Sequence, residues 1–220
     1  MIAEKGSKPL SIKDRIKDEV AKISAHPLTY SALGLCDAIE DFELDDQTKI
    51  DDYNSNMAAL QVLGFVIDYD FVNAKHAWKR IPESVKKDDK LKSILTILKG
   101  CLKDAYADII PSIQVAQKVY QGNAEILSLL GASIHSIRAH IIRMLNRDFA
   151  NIAVKEAARY LTLNADETVD ILTKSGWEIM ADQDFIKAPQ KILISDKEFR
   201  QLTEAQFKNL SNTIGFLETI

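Results

Sequence analysis

The chain has 220 residues, 46% hydrophobic and 27% charged, with a formal net charge of −4 and a pI near 5.6. That is enough chain to bury a core as one domain or two small ones, and the acidic balance gives no general attraction to a polyanion. The N-terminal stretch MIAEKGSKPLSIKDRIKDE is charged throughout, and no run approaches the roughly 20 apolar residues that span a bilayer, so a soluble, intracellular protein is expected. Cys36 and Cys101, with no CxxC, read as small buried or half-buried thiols of a reducing compartment.

Eight glycines and five prolines punctuate the sequence, and apolar residues recur mostly at helical spacing. SIKDRIKDEVAKIS puts Ile12, Ile16, Val20 and Ile23 on one stripe behind Ser11 as N-cap. His26-Pro27 ends this helix, because a residue before proline avoids helical angles. A second helix over about 29–43 carries Leu33, Leu35, Ile39 and Phe42. Residues 37–52 hold eight acidic side chains against Lys49, which reads as a solvated helix end and loop or as a docking patch for a basic partner.

Two helices then read as a pair. The first places Leu60, Leu63, Gly64 and Ile67 at helical spacing; the second places Phe71, Ala74, Trp78 and Ile81, with DYD as the turn between them. Small residues (Ala59, Gly64, Ala74, Ala77) allow close approach, as in tetratricopeptide-like pairs, although no strict repeat period is visible. Leu91, Ile94, Leu95, Leu98 and Leu102 mark the next helix. Tyr106, Ile109, Ile110 and Ile113 mark another, which Pro111 must either start or kink. A long helix over roughly 124–147 turns Ile134, Ile137, Ile141 and Leu145 inward, with Gly131 as a break point.

From about residue 132 the texture changes. Val154, Ala157, Ala158 and Leu161 form a compact apolar face, and Asn164 with Glu167 makes a capping box for the helix that follows. Gly176 supplies the left-handed stop, Trp177 reads as core, and WEIMA and DFIKA read as two short strands. Helix, turn, helix and hairpin outline a winged helix. LTEAQFKNLSNTIGFLETI then sets Phe207, Leu210, Ile214 and Leu217 on one seam, suited to an exposed helix that seeks partners. The expected organisation is mainly α: a helical, repeat-like array over 1–131, a winged helix over 132–190, and a linker with an assembly helix over 191–220.

The arrangements that carry chemistry are missing from the sequence. There is no GxxxxGK[ST], GxGxxG, GxSxG or HExxH. His135 and His140 are five apart, on different faces of a helix, the wrong geometry for sharing a metal. No catalytic, cofactor-binding or metal-binding residue is expected. A winged helix that reads DNA needs Arg, Lys, Asn or Gln on its second helix, whereas this one offers Asp166, Glu167 and Asp170 against Lys174. Neither specific nucleic acid nor membrane is therefore an expected partner. A nucleic-acid binder would have to use Arg138, Arg143 and Arg147 instead. Shape and strand-edge pairing remain, since a hairpin wing can add to a neighbour's sheet.

A helical array running into a winged helix and a terminal helix resembles the PCI-domain family. Its members occur in the COP9 signalosome, the proteasome regulatory lid and translation initiation factor three. Two stretches carry the likeness: NAKHAWKRIPESVK at 73–86 and AARYLTLNADETVDILTKSGWEI at 157–179. The second is shared by all three assemblies; the Trp78-Lys79-Arg80-Ile81-Pro82 run and the modest length favour the signalosome. The resemblance implies a non-catalytic scaffold subunit, found in cytoplasm and nucleus, of the complex that removes Nedd8 from cullins and so regulates cullin-RING ubiquitin ligases. Its partners would be other PCI subunits and the metalloprotease subunit. In such assemblies winged helices align edge to edge and C-terminal helices gather in a bundle. That likeness puts Ile179 and Phe185 at the edge contact and Phe207, Leu210, Ile214 and Leu217 in the bundle. The alternative is the homologous lid or initiation-factor subunit.

Overall fold

The computed structural model describes residues 11–44, 54–180 and 184–189. All but Pro189 of these belong to one compact unit, Met1–Ala188. The described residues are mainly helical. In order come α1 (Ile12–Ala25), α2 (Leu33–Leu44), α3 (Ser55–Ile67), α4 (Phe71–Arg80), the single turn α5 (Glu83–Lys86), α6 (Asp89–Leu102), α7 (Tyr106–Val119) and the long α8 (Ala124–Asp148). After them come β1 (Asn151–Ala153), α9 (Val154–Leu161), α10 (Ala165–Lys174), β2 (Glu178–Ile179) and β3 (Phe185–Lys187).

Local chemistry starts most of these helices where side-chain oxygens meet free backbone donors. Ser11 accepts from the Asp14 amide, Asn54 from Asn56 and Met57, Asp70 from Asn73, Asp88 from Lys90 and Asn123 from Ile126. Helix α1 buries Ile16, Val20 and Ile23 and ends at His26. Helix α3 is buried from Ala58 through Ile67, because α2, α4, α6 and α8 all pack around it. At its centre Gly64 faces the Cys36 sulfur; a Cβ there would lie 2.9 Å from Sγ. Burial pushes the Cys101 thiol up to about 12 and the Cys36 thiol upward as well, so both are inert packing groups.

The helical faces differ from the sequence reading in places, each for a packing reason. Leu33 is 53% exposed, since it shares the outer face of α2 with Asp37 and Glu40, one and two turns on. Helix α6 contacts α3, α4, α5 and α7, and its buried face is rotated to take in Ile97 and Cys101, while Leu95 is only partly buried and Leu102 at its end stays 44% exposed. Pro111 lies inside α7 rather than at its start. Helix α8 is continuous through Gly131, and Ile134 is only partly buried while Ile137, Ile141 and Leu145 are core. The acidic stretch is described as far as Leu44; there Asp41 pairs with Arg15 at 2.8 Å, and Glu40 and Glu43 pair with Arg80 at 3.0 and 3.8 Å.

The turn between α3 and α4 ties four helices together. Both Asp68 oxygens accept hydrogen bonds, from the Ala32 amide at 3.0 Å and the Ser31 hydroxyl at 2.8 Å, fixing the start of α2. Tyr69 takes a left-handed φ of 63° and donates its hydroxyl to the Ser136 carbonyl on α8 at 2.6 Å. Ser136 returns the link by donating to the Ile67 carbonyl at 2.7 Å. Asp70 caps α4 and donates its own amide to Phe65.

Asp68→Ala leaves the fully buried Ala32 without its amide's acceptor, and should lower stability by about 2 kcal/mol. Urea unfolding followed by circular dichroism measures it. A change below about 0.5 kcal/mol, the range of an ordinary surface substitution, would mean that this turn does not anchor α2.

Candidate subunit interface

Helix α10 shows how local sequence aims the residues beyond it. Asn164 accepts from the Glu167 amide at 2.8 Å, and the Glu167 carboxylate accepts from the Asn164 amide, a complete capping box. At the other end Gly176 takes φ 89°. The Gly176 amide bonds the Thr173 carbonyl at 3.0 Å and the Trp177 amide bonds the Leu172 carbonyl at 3.0 Å. This paired stop brings the residue two past the cap against the helix's own last turn, and here that pair is Trp177 with Leu172, exposed by 2% and 0%. Trp177 is core, and the chain leaves it in a fixed direction as β2.

The two short strands foreseen in WEIMA and DFIKA form a hairpin, but a third strand joins them. β1, which sequence reading missed, pairs antiparallel with β3, giving the order β1-β3-β2. In register, Ile152 faces Ile186, Ile179 faces Ile186 from the other side, and Glu178 faces Lys187. Three residues are too few for a period-2 pattern to stand out, and Asn151-Ile152-Ala153 between two helices reads as a connection. The one cue was Ile152, an apolar residue between the ends of two helical patterns.

Strand alternation sorts the side chains. Ile152, Ile179 and Ile186 share one face, with Ile186 buried on the central strand, Ile152 buried on the edge strand β1, which packs with α9, and Ile179 half-exposed on the other edge strand, β2. Phe185 falls on the opposite face. The Met180 amide donates to the Phe185 carbonyl at 3.1 Å, which sets Met180 beside Phe185; they are 39% and 43% exposed. The structure therefore brings Ile179 and Phe185 to one hairpin but to opposite sides of the sheet. It adds Met180, whose signal was its place next to Ile179 in WEIMA. The edge thus presents apolar groups on both faces, the pattern of a strand that another chain can cover. Phe207, Leu210, Ile214 and Leu217 lie outside the described residues.

Charge around this module is unsuited to a phosphate backbone. On α10, Asp166, Glu167 and Asp170 are exposed, and Lys174 is held by Asp170 at 2.6 Å. Arg138 is committed internally. Its guanidinium donates to the carbonyls of Leu161 at 3.2 Å and Thr162 at 3.4 Å, the bare end of α9, and burial lowers its pKa. Arg147 pairs with Asp148 at 2.6 Å. His140 stacks on Tyr69, ring centroids 4.3 Å apart, while His135 is exposed. Among the described residues no His, Cys, Asp and Glu side chains are grouped to hold a metal, and no helix is long and apolar enough to cross a membrane.

Residues 54–198 match the model of the CSN8/PSMD8/EIF3K family. The chain is 24% identical over 158 residues to COP9 signalosome complex subunit 8 of Dictyostelium discoideum, an overlap of 71% of this chain and 77% of that protein. It is also 24% identical over 157 residues to the subunit of the same name from Danio rerio, covering 70% and 78%.

The burial contrast on the sheet makes a direct test. Ile186→Ala should cost about 2–4 kcal/mol because it empties a fully enclosed site, while Ile179→Ala and Phe185→Ala should each stay within about 1 kcal/mol. Thermal or urea denaturation of the three variants checks this. Equal losses at all three would place the exposed pair in the core.

Proposed function

The chain belongs to the CSN8/PSMD8/EIF3K family, and from that membership we propose that it is a scaffold subunit of the COP9 signalosome, without catalytic chemistry of its own. The observation that carries the reading is that both relatives bear the name COP9 signalosome complex subunit 8 and that each is matched over more than three quarters of its length. Membership of the complex implies a supporting part in removing Nedd8 from cullins, with chemistry supplied by the metalloprotease subunit, in cytoplasm and nucleus.

In this reading α1 to α8 form a tetratricopeptide-like array, and α9, α10 and the three-stranded sheet form the winged helix of a PCI domain. The helix pairing around α3 and the order helix, helix, hairpin support it. Ile179 and Phe185, with Met180, cover the contact with the next subunit's winged helix. Phe207, Leu210, Ile214 and Leu217 form the seam by which the C-terminal segment joins a shared bundle. A strand edge and an amphipathic seam are contact surfaces and need no bound cofactor. The acidic surface of α10 argues against a nucleic-acid role.

A tagged chain expressed in cells is expected to recover the metalloprotease subunit and other PCI subunits. Proteasomal ATPases or ribosomal initiation factors in their place would assign the chain to a sister assembly. Replacing Ile179 and Phe185 together by Asp, and separately Phe207 and Ile214 by Asp, should remove those partners, because a carboxylate in a buried contact costs several kcal/mol. Circular dichroism of the isolated variants should keep the helical signal. Retained partners in either double variant would refute that surface as a contact.

A further inference from the structure

Charge is shared unevenly along the chain. From Phe71 to Lys103, the span of α4 to α6, nine lysines and arginines stand against three carboxylates, a net +6 on a chain of net −4. Two of the three are taken up within the span, Glu83 by Lys86 at 2.8 Å and Asp89 by Lys92 at 2.5 Å. The third, Asp88, caps α6 and also meets the Lys90 charge. Asp70 and Asp104 flank the span, and Glu40 and Glu43 on α2 hold Arg80. With these four counted as well, the balance stays positive at +2.

The cations left over lie on outer faces. Helix α4 buries Ala74 and Ala77, which leaves Lys75 and Lys79 exposed on the opposite side. Helix α6 buries Leu91, Ile94 and Leu98, which leaves Lys99 and Lys103 exposed in the same way. The two helices pack on each other. The Lys86 ammonium donates to the Lys79 carbonyl at 3.3 Å, closing α5 against the end of α4, and Lys87 and Lys90 are exposed at that corner. None of these six exposed lysines makes an ion pair among the described residues.

Local helix chemistry does not account for them all. Lys79, Lys99 and Lys103 stand near helix C-termini, where a cation is favoured. Yet Lys75 lies one turn from Lys79, and Lys99 one turn from Lys103, which are repulsive spacings. Lys87 and Lys90 bracket the N-terminus of α6, where the helix dipole favours an anion. The folded chain bears this repulsion, and carboxylates brought from outside would offset it.

Nucleic acid fits the surface less well. A site for single strands sets aromatic or guanidinium planes among its cations, but Trp78 is packed against the core and Arg80 is held by α2. The chain beyond this span carries −10, so a long polyanion would run onto like charge. A short acidic segment avoids both obstacles.

We propose that the outer surface of α4 to α6 docks an acidic segment of a partner protein, its Asp and Glu side chains set against Lys75, Lys79, Lys87, Lys90, Lys99 and Lys103. The surface shares no residue with the sheet edge, so the docking stands or falls apart from the signalosome reading.

The test is an NMR titration of the full-length ¹⁵N-labelled chain with a capped oligoglutamate peptide. Saturable shifts are expected at the amides of Lys75, Lys79, Lys90 and Lys99, with affinity falling as salt is raised. Lys75→Gln with Lys79→Gln, and separately Lys99→Gln with Lys103→Gln, should each weaken binding about threefold to tenfold. These lysines are exposed, so both double variants should keep the remainder of the spectrum. Lys155→Gln, on α9, should bind like the parent chain. No saturable shift at those amides, equal affinity for oligoglutamine, or unchanged affinity of both double variants would overturn the proposal. So would an equal loss in Lys155→Gln, or single-stranded oligothymidylate saturating the same amides at lower concentration than the peptide.

Discussion

Three consecutive residues, Asp68, Tyr69 and Asp70, set the geometry on which the helical part depends. A tyrosine held at φ 63° is strained by about 1–2 kcal/mol relative to ordinary backbone. The strain is offset because the same conformation sends the ring between neighbours: it stacks on His140 and meets Phe71 edge-on at 5.5 Å. Burial of the phenol raises its pKa, so its proton stays available for the Ser136 carbonyl. Glycine would relieve the backbone and lose the ring, the hydroxyl and the link to α8 together. With Asp68 tied to the start of α2 and Asp70 to the start of α4, one short turn positions four helices.

Much of this architecture was legible because it is local. The N-caps at Ser11 and Asn164, the stop at Gly176 and the apolar stripes of α1 and α9 are decided by residues within a turn or two of each other. What escaped the sequence depended on distant neighbours. The buried face of α6 turned toward Ile97 and Cys101 because of where its neighbouring helices pack, and a stripe read from one helix cannot reveal where its neighbours lie. Strand β1 escaped because its identity comes from β3, more than thirty residues later, and not from Asn151-Ile152-Ala153 itself. Pro111 falls within the second turn of α7 because that helix begins at Tyr106, five residues earlier.

The contact surface divides in the same way. Trp177 as core and the two short strands followed from the helix stop and the alternation beyond it. That Ile179 and Phe185 take opposite faces, and that Met180 joins Phe185, required the register. The role open to Arg138 was also invisible in one dimension. Among three similarly spaced arginines, only the structure shows that Arg138 is spent on the carbonyls ending α9, Arg147 on Asp148, and Arg143 on neither.

The sheet order carries a consequence for reading genetic damage in this chain. Because β3 is the central strand, it holds β1 on one side and β2 on the other, and the Val154 and Ala188 amides bond across to Asp184 and Ala150. A nonsense allele that ends translation before Phe185 would therefore remove the middle of the sheet, stripping Ile152 of its partner and baring the face beneath α9. A missense allele at Phe185 would change one exposed ring and leave the ladder whole. The first reports on whether the module folds at all, and only the second on what the module touches.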